Sequence, residues 1–432
     1  MESIWSKDTK FKNLNHLEKE IKTQVLIVGG GIAGILCGYM LKRAGIECII
    51  VEADRICKGV TGNTTAKITL QHGLVYHKII KAYGVEGAKM YLKAQQTALD
   101  LYDEICKDID CDYKREDAYV YSVNNLKNIE KELEAYERIG LKAEFCDNLE
   151  LPIRISGAIR VENQAQFNPL KFCFSLAEEL KIYENTKVIE IFEGGAITNR
   201  GKIYAEEIIV ATHFPTANKY GGYFLKMYQH RSYVLALSGA KIPKGMYVDE
   251  DIKGLSFRGY NGVLLLGGGS HRTGKKGGNW RELRDFAKKN CPESREIAAW
   301  ATQDCMTLDG ISYIGRYSSK TPRIYVATGF NKWGMTSSMA AAVILTDMIK
   351  GKENDFAKIF DPTRSIFHPQ LLVNGVETLV NMVTPTTPRC PHLGCALKFN
   401  PYEHTWDCPC HGSRFTEDGK LIENPATDDK KM

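Results

Sequence analysis

The sequence predicts an α/β fold: a discontinuous domain built on a parallel sheet, a second domain of mixed α+β character, and a small β module at the C-terminal end. Three observations predict it. At 23–52 a β-branched run, a glycine-rich turn, a helical stretch and a second β-branched run follow one another, the opening of a parallel sheet. Two more short buried runs of the same character, at 208–211 and 324–327, lie far downstream, so distant segments complete the sheet. Four of the 13 cysteines (Cys390, Cys395, Cys408, Cys410) crowd the end of the 432-residue chain beside His392 and His411.

Residues 1–22 read as a polar leader. The run 23–28 (TQVLIV) reads as a buried strand, ILCGYMLKRAG as a helix ending at Gly45, and IECIIVE as the second strand. Helical periodicity covers 76–105 and 124–139, while 113–123 and 227–237 alternate like strands with one exposed face. The stretch 339–349 is a strong helix stopped by Gly351. Beyond Ser365 the periodicity weakens: LLVNGVETLVNMV leaves room for one or two strands, and TPTTPR at 384–389 reads as a linker. The expected division is 23–75, 156–225 and 308–364 for the parallel-sheet domain, 76–155 and 226–307 for a substrate domain, and 365–432 for the C-terminal module.

Composition narrows the function. The 57 basic and 52 acidic residues leave a net charge of +5, too small and dispersed for a nucleic-acid partner. Hydrophobic residues at 44% and charged residues at 25% fit a globular chain. No apolar run reaches the roughly 18 residues of a membrane span, and the polar N-terminus has no apolar signal core. With nine further cysteines scattered as small hydrophobes, a reducing cytoplasmic location is expected. No Ser-His-Asp set, paired-carboxylate signature or Walker-type loop supports hydrolysis or phosphoryl transfer.

Gly29, Gly31 and Gly34 form G-x-G-x-x-G between strand and helix, with Ile32 and Ala33 inside the motif. The first glycine allows the tight turn, the second lets the backbone approach a diphosphate, and the third permits close helix–strand packing. The diphosphate then meets the helix N-terminus, where free amides and the macrodipole favour negative charge. Glu52 closes the second strand 18 residues after Gly34, placed to accept ribose hydroxyl protons.

At this point the chain resembles the D-amino-acid oxidase-like family of FAD-dependent oxidoreductases, which includes glycine and sarcosine oxidases, over residues 23–364. The motifs that carry the resemblance are ADRICKGVTGNTTAKITLQHG after Glu52, EIIVATHFP at 207–215, DGISYIG at 309–315 and ATGFNKWGMTSSMAAA at 327–342. It implies a Rossmann-like, glutathione-reductase-like FAD domain. It also implies cofactor contacts from Ala53, Thr61, Thr64, Thr65, Ala66, Val188, Ala211 and Thr212, and from Gly329, Trp333, Gly334, Met335 and Thr336. His213 replaces the glycine that relatives carry after Ala-Thr. A nicotinamide-only dehydrogenase would need neither the ATH strand nor the GFNKWGMT segment.

Cys390-Pro-His392 and Cys408-Pro-Cys-His411 offer two thiolates and two imidazoles from two loops. That set suits tetrahedral zinc, or a [2Fe–2S] cluster with cysteines on one iron and histidines on the other; a disulfide alone is the third option. CPHLGC and CPCHGSRF resemble the two loops of Rieske proteins. The resemblance makes Cys390, His392, Cys408 and His411 the ligands and Cys395 and Cys410 a disulfide pair. It also gives Ser413 a hydrogen bond to a cluster sulfur. Phe415 stands where high-potential members carry tyrosine, which implies a lower potential, and the module is short for a Rieske domain.

Four further residues are candidates for substrate chemistry. His271 follows an apolar strand, Arg231 and Tyr233 alternate on one strand face where they could meet a substrate carboxylate, and Lys332 could set a cation beside the flavin. The expectation is an FAD-dependent oxidoreductase, a dehydrogenase of an amine or amino acid, that sends electrons through a Rieske cluster to an unidentified acceptor. The rival readings are an oxygen-using oxidase with a vestigial or regulatory cluster and a non-catalytic electron-transfer or redox-sensing flavoprotein.

Overall fold

The computed structural model describes residues 2–215, 220–385 and 388–430. Five strands form a parallel sheet in the order Ile324–Thr328, Gly201–Val210, Ile21–Val28, Cys48–Val51 and Ile182–Tyr183. Val25, Leu26, Ile27 and Val28 of the central strand are all buried, the mark of a strand covered on both faces. The helices Ile32–Arg43 and Gly334–Ile349 pack against each other on this sheet. Gly38 makes that seat close: a Cβ there would stand 3.0 Å from Ile50. Tyr313–Arg316 adds an antiparallel edge.

The second sheet has nine strands. Its main path runs Arg295–Thr307, Met227–Ser238, Val263–Arg272, Ser256–Tyr260, Met246–Asp249, Lys114–Ser122, Gly157–Gln166 and Lys67–Ile68. The helices Tyr76–Ile105, kinked at Gly84, and Leu126–Ile139 cover part of it. Gly157–Gln166 pairs with Lys114–Ser122, so the switch between domains lies beyond the expected 155/156 boundary. The leader is also part of the fold: Ile4–Asp8 is helical, Trp5 is fully buried, and its indole N–H donates to Thr64 O at 2.7 Å.

The C-terminal segment departs from the sequence reading. LLVNGVETLVNMV belongs to a helix, Pro369–Val383, and not to strands. Its valines suggest strand, yet its apolar residues recur at helical spacing, and His368 caps the start by accepting from the Gln370 amide. Of the expected linker at 384–389, residues 386 and 387 lie outside the described residues. Beyond it Lys398–Asn400, Thr405–Asp407, Arg414–Thr416 and Leu421–Glu423 form a four-stranded antiparallel meander. This small sheet rests on the Met227–Ser238 region of the second sheet. No described helix is long and apolar enough to cross a membrane.

Candidate functional site

The glycine turn is shaped by contacts that exclude side chains. Gly29 has φ +111°, and a Cβ there would lie 2.5 Å from Ala211 O, so the turns after two neighbouring strands back directly onto each other. A Cβ on Gly34 would lie 1.9 Å from Gly29 O. Gly31 offers no side-chain cap to the helix that starts at Ile32, and the Ile32 amide donates instead to Thr61 Oγ1 at 3.0 Å. Glu52 accepts from the Gly30 amide at 2.7 Å and the Asp54 amide at 3.0 Å; burial raises its pKa, and these amides oppose the rise. Ala53 follows it. Val188 opens a strand two residues past Thr186, whose amide donates to Glu52 O.

The other expected contacts converge on the same region. Thr64 Oγ1 accepts from the Ala66 amide, and Arg258, wholly buried, donates to Thr65 O and Ala66 O. His213 follows Ala211 and Thr212 with φ +65°, so a histidine occupies the left-handed conformation that glycine adopts most readily. Gly329, Asn331 and Lys332 all have positive φ and lead into the Gly334–Ile349 helix. Trp333 stacks on His72 with ring centroids 5.1 Å apart. His72 Nε2 donates to Thr69 O, Nδ1 accepts from the Tyr91 hydroxyl, and Thr336 Oγ1 lies 2.9 Å from Nε2. Burial pushes the His72 pKa down to about 3, so this imidazole is neutral. Met335 O accepts from Tyr102.

Strand Met227–Ser238 has two chemical faces. On one, Lys332 Nζ donates to Ser270 Oγ at 3.1 Å, and Ser270 lies 3.0 Å from Ser232 Oγ. His230 sits opposite Asp304 across the strands. Burial lowers the pKa of Lys332 and raises that of Asp304, against their mutual attraction. His230 is pushed down to about 3 by burial and then by Lys332 and Arg272. His230 Nδ1, Thr302 Oγ1 and His213 Nε2 are buried without a hydrogen-bond partner among the described residues.

The opposite face corrects three expectations. Arg231 and Tyr233 do meet a carboxylate, but it is the chain's own Glu403. Arg231 pairs with both Glu403 oxygens, and Tyr233 donates to Glu403 Oε1 at 3.0 Å. His271 Nε2 lies 3.0 Å from the same tyrosine hydroxyl. All three side chains are buried in a docking contact and are not open to substrate. Burial alone would raise the Glu403 pKa; Arg231 and Arg414 outweigh it and hold it at about 2.

The neighbouring contacts grip the second cysteine loop through its main chain. Gln229 Nε2 donates to His411 O at 2.9 Å, Gln303 Nε2 to Gly412 O at 2.8 Å, and Arg272 to Pro409 O and Cys410 O at 3.1 and 2.9 Å. The cysteine loops mirror each other: the Gly394 amide donates to Cys390 O and the Gly412 amide to Cys408 O, both at 2.9 Å. The thiols of Cys395, Cys408 and Cys410 lie within 4.8 Å of one another. His392 and His411 have ring centroids 5.1 Å apart at 88°, and Phe224 meets both edge-on at 5.8 Å. Both Nδ1 atoms are buried and unpartnered.

Residues 24–348 match the FAD dependent oxidoreductase (DAO) family, and residues 361–431 match the Rieske [2Fe-2S] domain. The chain belongs to the DAO family and ends in a Rieske domain. A Bacillus subtilis (strain 168) protein, named as the Rieske 2Fe-2S iron-sulfur protein YhfW, is 34% identical over 490 aligned positions, covering 98% of this chain and 96% of that one. Gamma-glutamylputrescine oxidoreductase of Escherichia coli (strain K12) is 24% identical, covering 80% and 88%. Glycine oxidase from Geobacillus kaustophilus superposes with a TM-score of 0.68 at 19% identity over 80% of this chain and 99% of that one, a likeness of fold.

FAD and a [2Fe–2S] cluster are thus the cofactors of this DAO-family oxidoreductase. The residues present fit both. The glycine turn, with no side chain on Gly29, Gly30 or Gly31 before the helix start, suits a diphosphate, and the two orphaned imidazole nitrogens in the cysteine loops suit a mixed-ligand cluster. The sequence reading missed Gln229, Gln303, Arg272 and Phe224 as the cluster's seat, and the pairing of His230 with Asp304. Only the alternation in MYQHRSYV hinted at two working faces.

Proposed function

We propose that this oxidoreductase is a dehydrogenase of an amine or amino acid that passes electrons through its Rieske cluster to a one-electron acceptor. Bound FAD takes a hydride and the cluster carries single electrons, the chemistry each group supplies. The observation that carries the reading is the two-faced strand Met227–Ser238: unpartnered polar groups on one side, the seat of the cluster loops on the other.

In this reading the Gly29–Gly34 turn holds the FAD diphosphate, with Ile32 and Ala33 presenting helix amides, and Glu52 and Ala53 hold the ribose. Thr61, Thr64, Thr65, Ala66, Val188, Ala211, Thr212, Gly329 and Trp333–Thr336 would complete the FAD site. Cys390, His392, Cys408 and His411 bind the irons, and Cys395 and Cys410 form the bridging disulfide. Lys332 and Asp304 offer opposite charges to a substrate carboxylate and amine, which accords with the amine and amino-acid names of gamma-glutamylputrescine oxidoreductase and glycine oxidase. In this reading the FAD and substrate domains divide as expected, except that Gly157–Gln166 and Lys67–Ile68 go with the substrate-domain sheet.

Anaerobic mixing with a panel of amines and amino acids tests this. The expected result is bleaching of the flavin bands together with a mixed His/Cys [2Fe–2S] resonance. Bleaching without that resonance, with stoichiometric hydrogen peroxide in air, would make the protein an oxidase. Reduction by a protein donor but by no panel member would make it an electron carrier.

A further inference from the structure

Helix Pro369–Val383 is inside out. Its buried residues are polar, Asn374 and Asn381, and Glu377 turns inward to Lys275 at 2.7 Å. Its apolar residues face outward: Leu372 is 74% exposed, Val376 61%, Leu379 64% and Val383 79%, with Val373 and Val380 at 54% each. At 100° per residue these six occupy one arc of roughly 120°, the width of a helix face that normally packs against protein. Leu372, Val376, Leu379 and Val383 also follow the 4-3-4 spacing of a helix-on-helix seam.

We propose that this face is the interface of a homodimer, each copy covering the helix of the other. Area supports it. With Phe367 (91% exposed) just before the helix and Met382 (42%) on its flank, the patch exposes on the order of 900 Å². That exceeds the roughly 300–600 Å² typical of the largest patch on a monomer and matches the roughly 800 Å² each partner contributes to a stable interface. Composition argues for protein over lipid: Glu377 is the only charged residue in the helix and is already paired inward. Membrane-surface helices carry basic side chains beside the apolar face, and this one has none. The helix end is tied to the first cluster loop, because Arg389 donates to Met382 O at 3.0 Å and to Gly394 O at 3.1 Å. Pairing of the helices therefore also steadies that loop.

Light scattering on the cofactor-loaded full chain at about 10 μM, beside V376E/L379E, tests the proposal. The expected result is twice the 48.5 kDa chain mass for the wild type and a single chain mass for the variant, whose cluster resonance and flavin spectrum stay intact. If the variant loses its cofactors, the milder L379Q replaces it, with an expected dissociation constant raised at least tenfold. A monomeric wild type, or a dimer that both variants leave unchanged, overturns the proposal. A wild type that is monomeric and floats with phosphatidylglycerol vesicles overturns it in favour of a lipid surface.

Discussion

His230 and Arg231 are adjacent on one strand, yet they meet opposite fates. Arg231 enters a closed network in which two guanidiniums, Arg231 and Arg414, face Glu403, with Asp407 and Glu423 completing the charges around Arg414. Every oxygen of Glu403 is used. Among the described residues His230 and His213 each keep a buried ring nitrogen with no hydrogen-bond partner, and Thr302 a buried hydroxyl. A saturated polar cluster holds structure, and an unsaturated one awaits a ligand. That contrast marks the outer face as a docking surface, and in the proposed reading it leaves the inner one to substrate.

The largest break comes from the cluster itself. Cys408→Ser removes a ligand, so the [2Fe–2S] resonance disappears while the flavin bands persist, with a loss of acceptor reduction beyond the roughly 10–100-fold of outer-shell changes. Gly34→Ala is next. Its Cβ would sit 1.9 Å from Gly29 O. The overpacking cost of about 1–3 kcal/mol predicts flavin affinity weakened roughly 5- to 150-fold, read from flavin titration of the purified protein.

Glu403→Gln sharpens the comparison. Removing the Glu403 charge leaves Arg231 only the more distant Glu423 and Arg414 its pairs with Asp407 and Glu423, a loss at or below the roughly 3–5 kcal/mol of a broken buried pair, seen as early release of the C-terminal module in limited proteolysis. The same pair predicts a pH effect. The folded Glu403 pKa of about 2 lies below the ordinary 4.5, so its stabilisation, about 3 kcal/mol, is complete above about pH 4.5 and drains away as pH falls towards 2. Acid unfolding of the module monitored by near-ultraviolet circular dichroism checks this, and Glu403→Gln should flatten the profile. The smallest effect is Phe415→Tyr. Phe415 is fully buried, and a hydroxyl added beside the cluster raises its potential by tens of millivolts in a redox titration.

What the sequence made legible was local. The glycine turn at 29–34 and the two cysteine loops announce themselves because their chemistry is written within a few residues. Strand Ile21–Val28 and helix Tyr76–Ile105 were legible from periodicity alone. The partner of Arg231 was not, because Glu403 lies 172 residues away and no spacing rule connects them. The meeting of His230 with Asp304 likewise depends on antiparallel register across strands. Helix Pro369–Val383 misleads for another reason: its apolar face points outward, and its valines carry strand propensity, so composition opposed periodicity.

The central claim is that reducing equivalents entering at the inner face reach the cluster within one chain. Stopped-flow mixing of a reducing substrate with protein over a tenfold concentration range tests it most directly. The account predicts that the cluster's absorbance change trails the flavin's at a rate independent of protein concentration; a rate rising in proportion to concentration would contradict it.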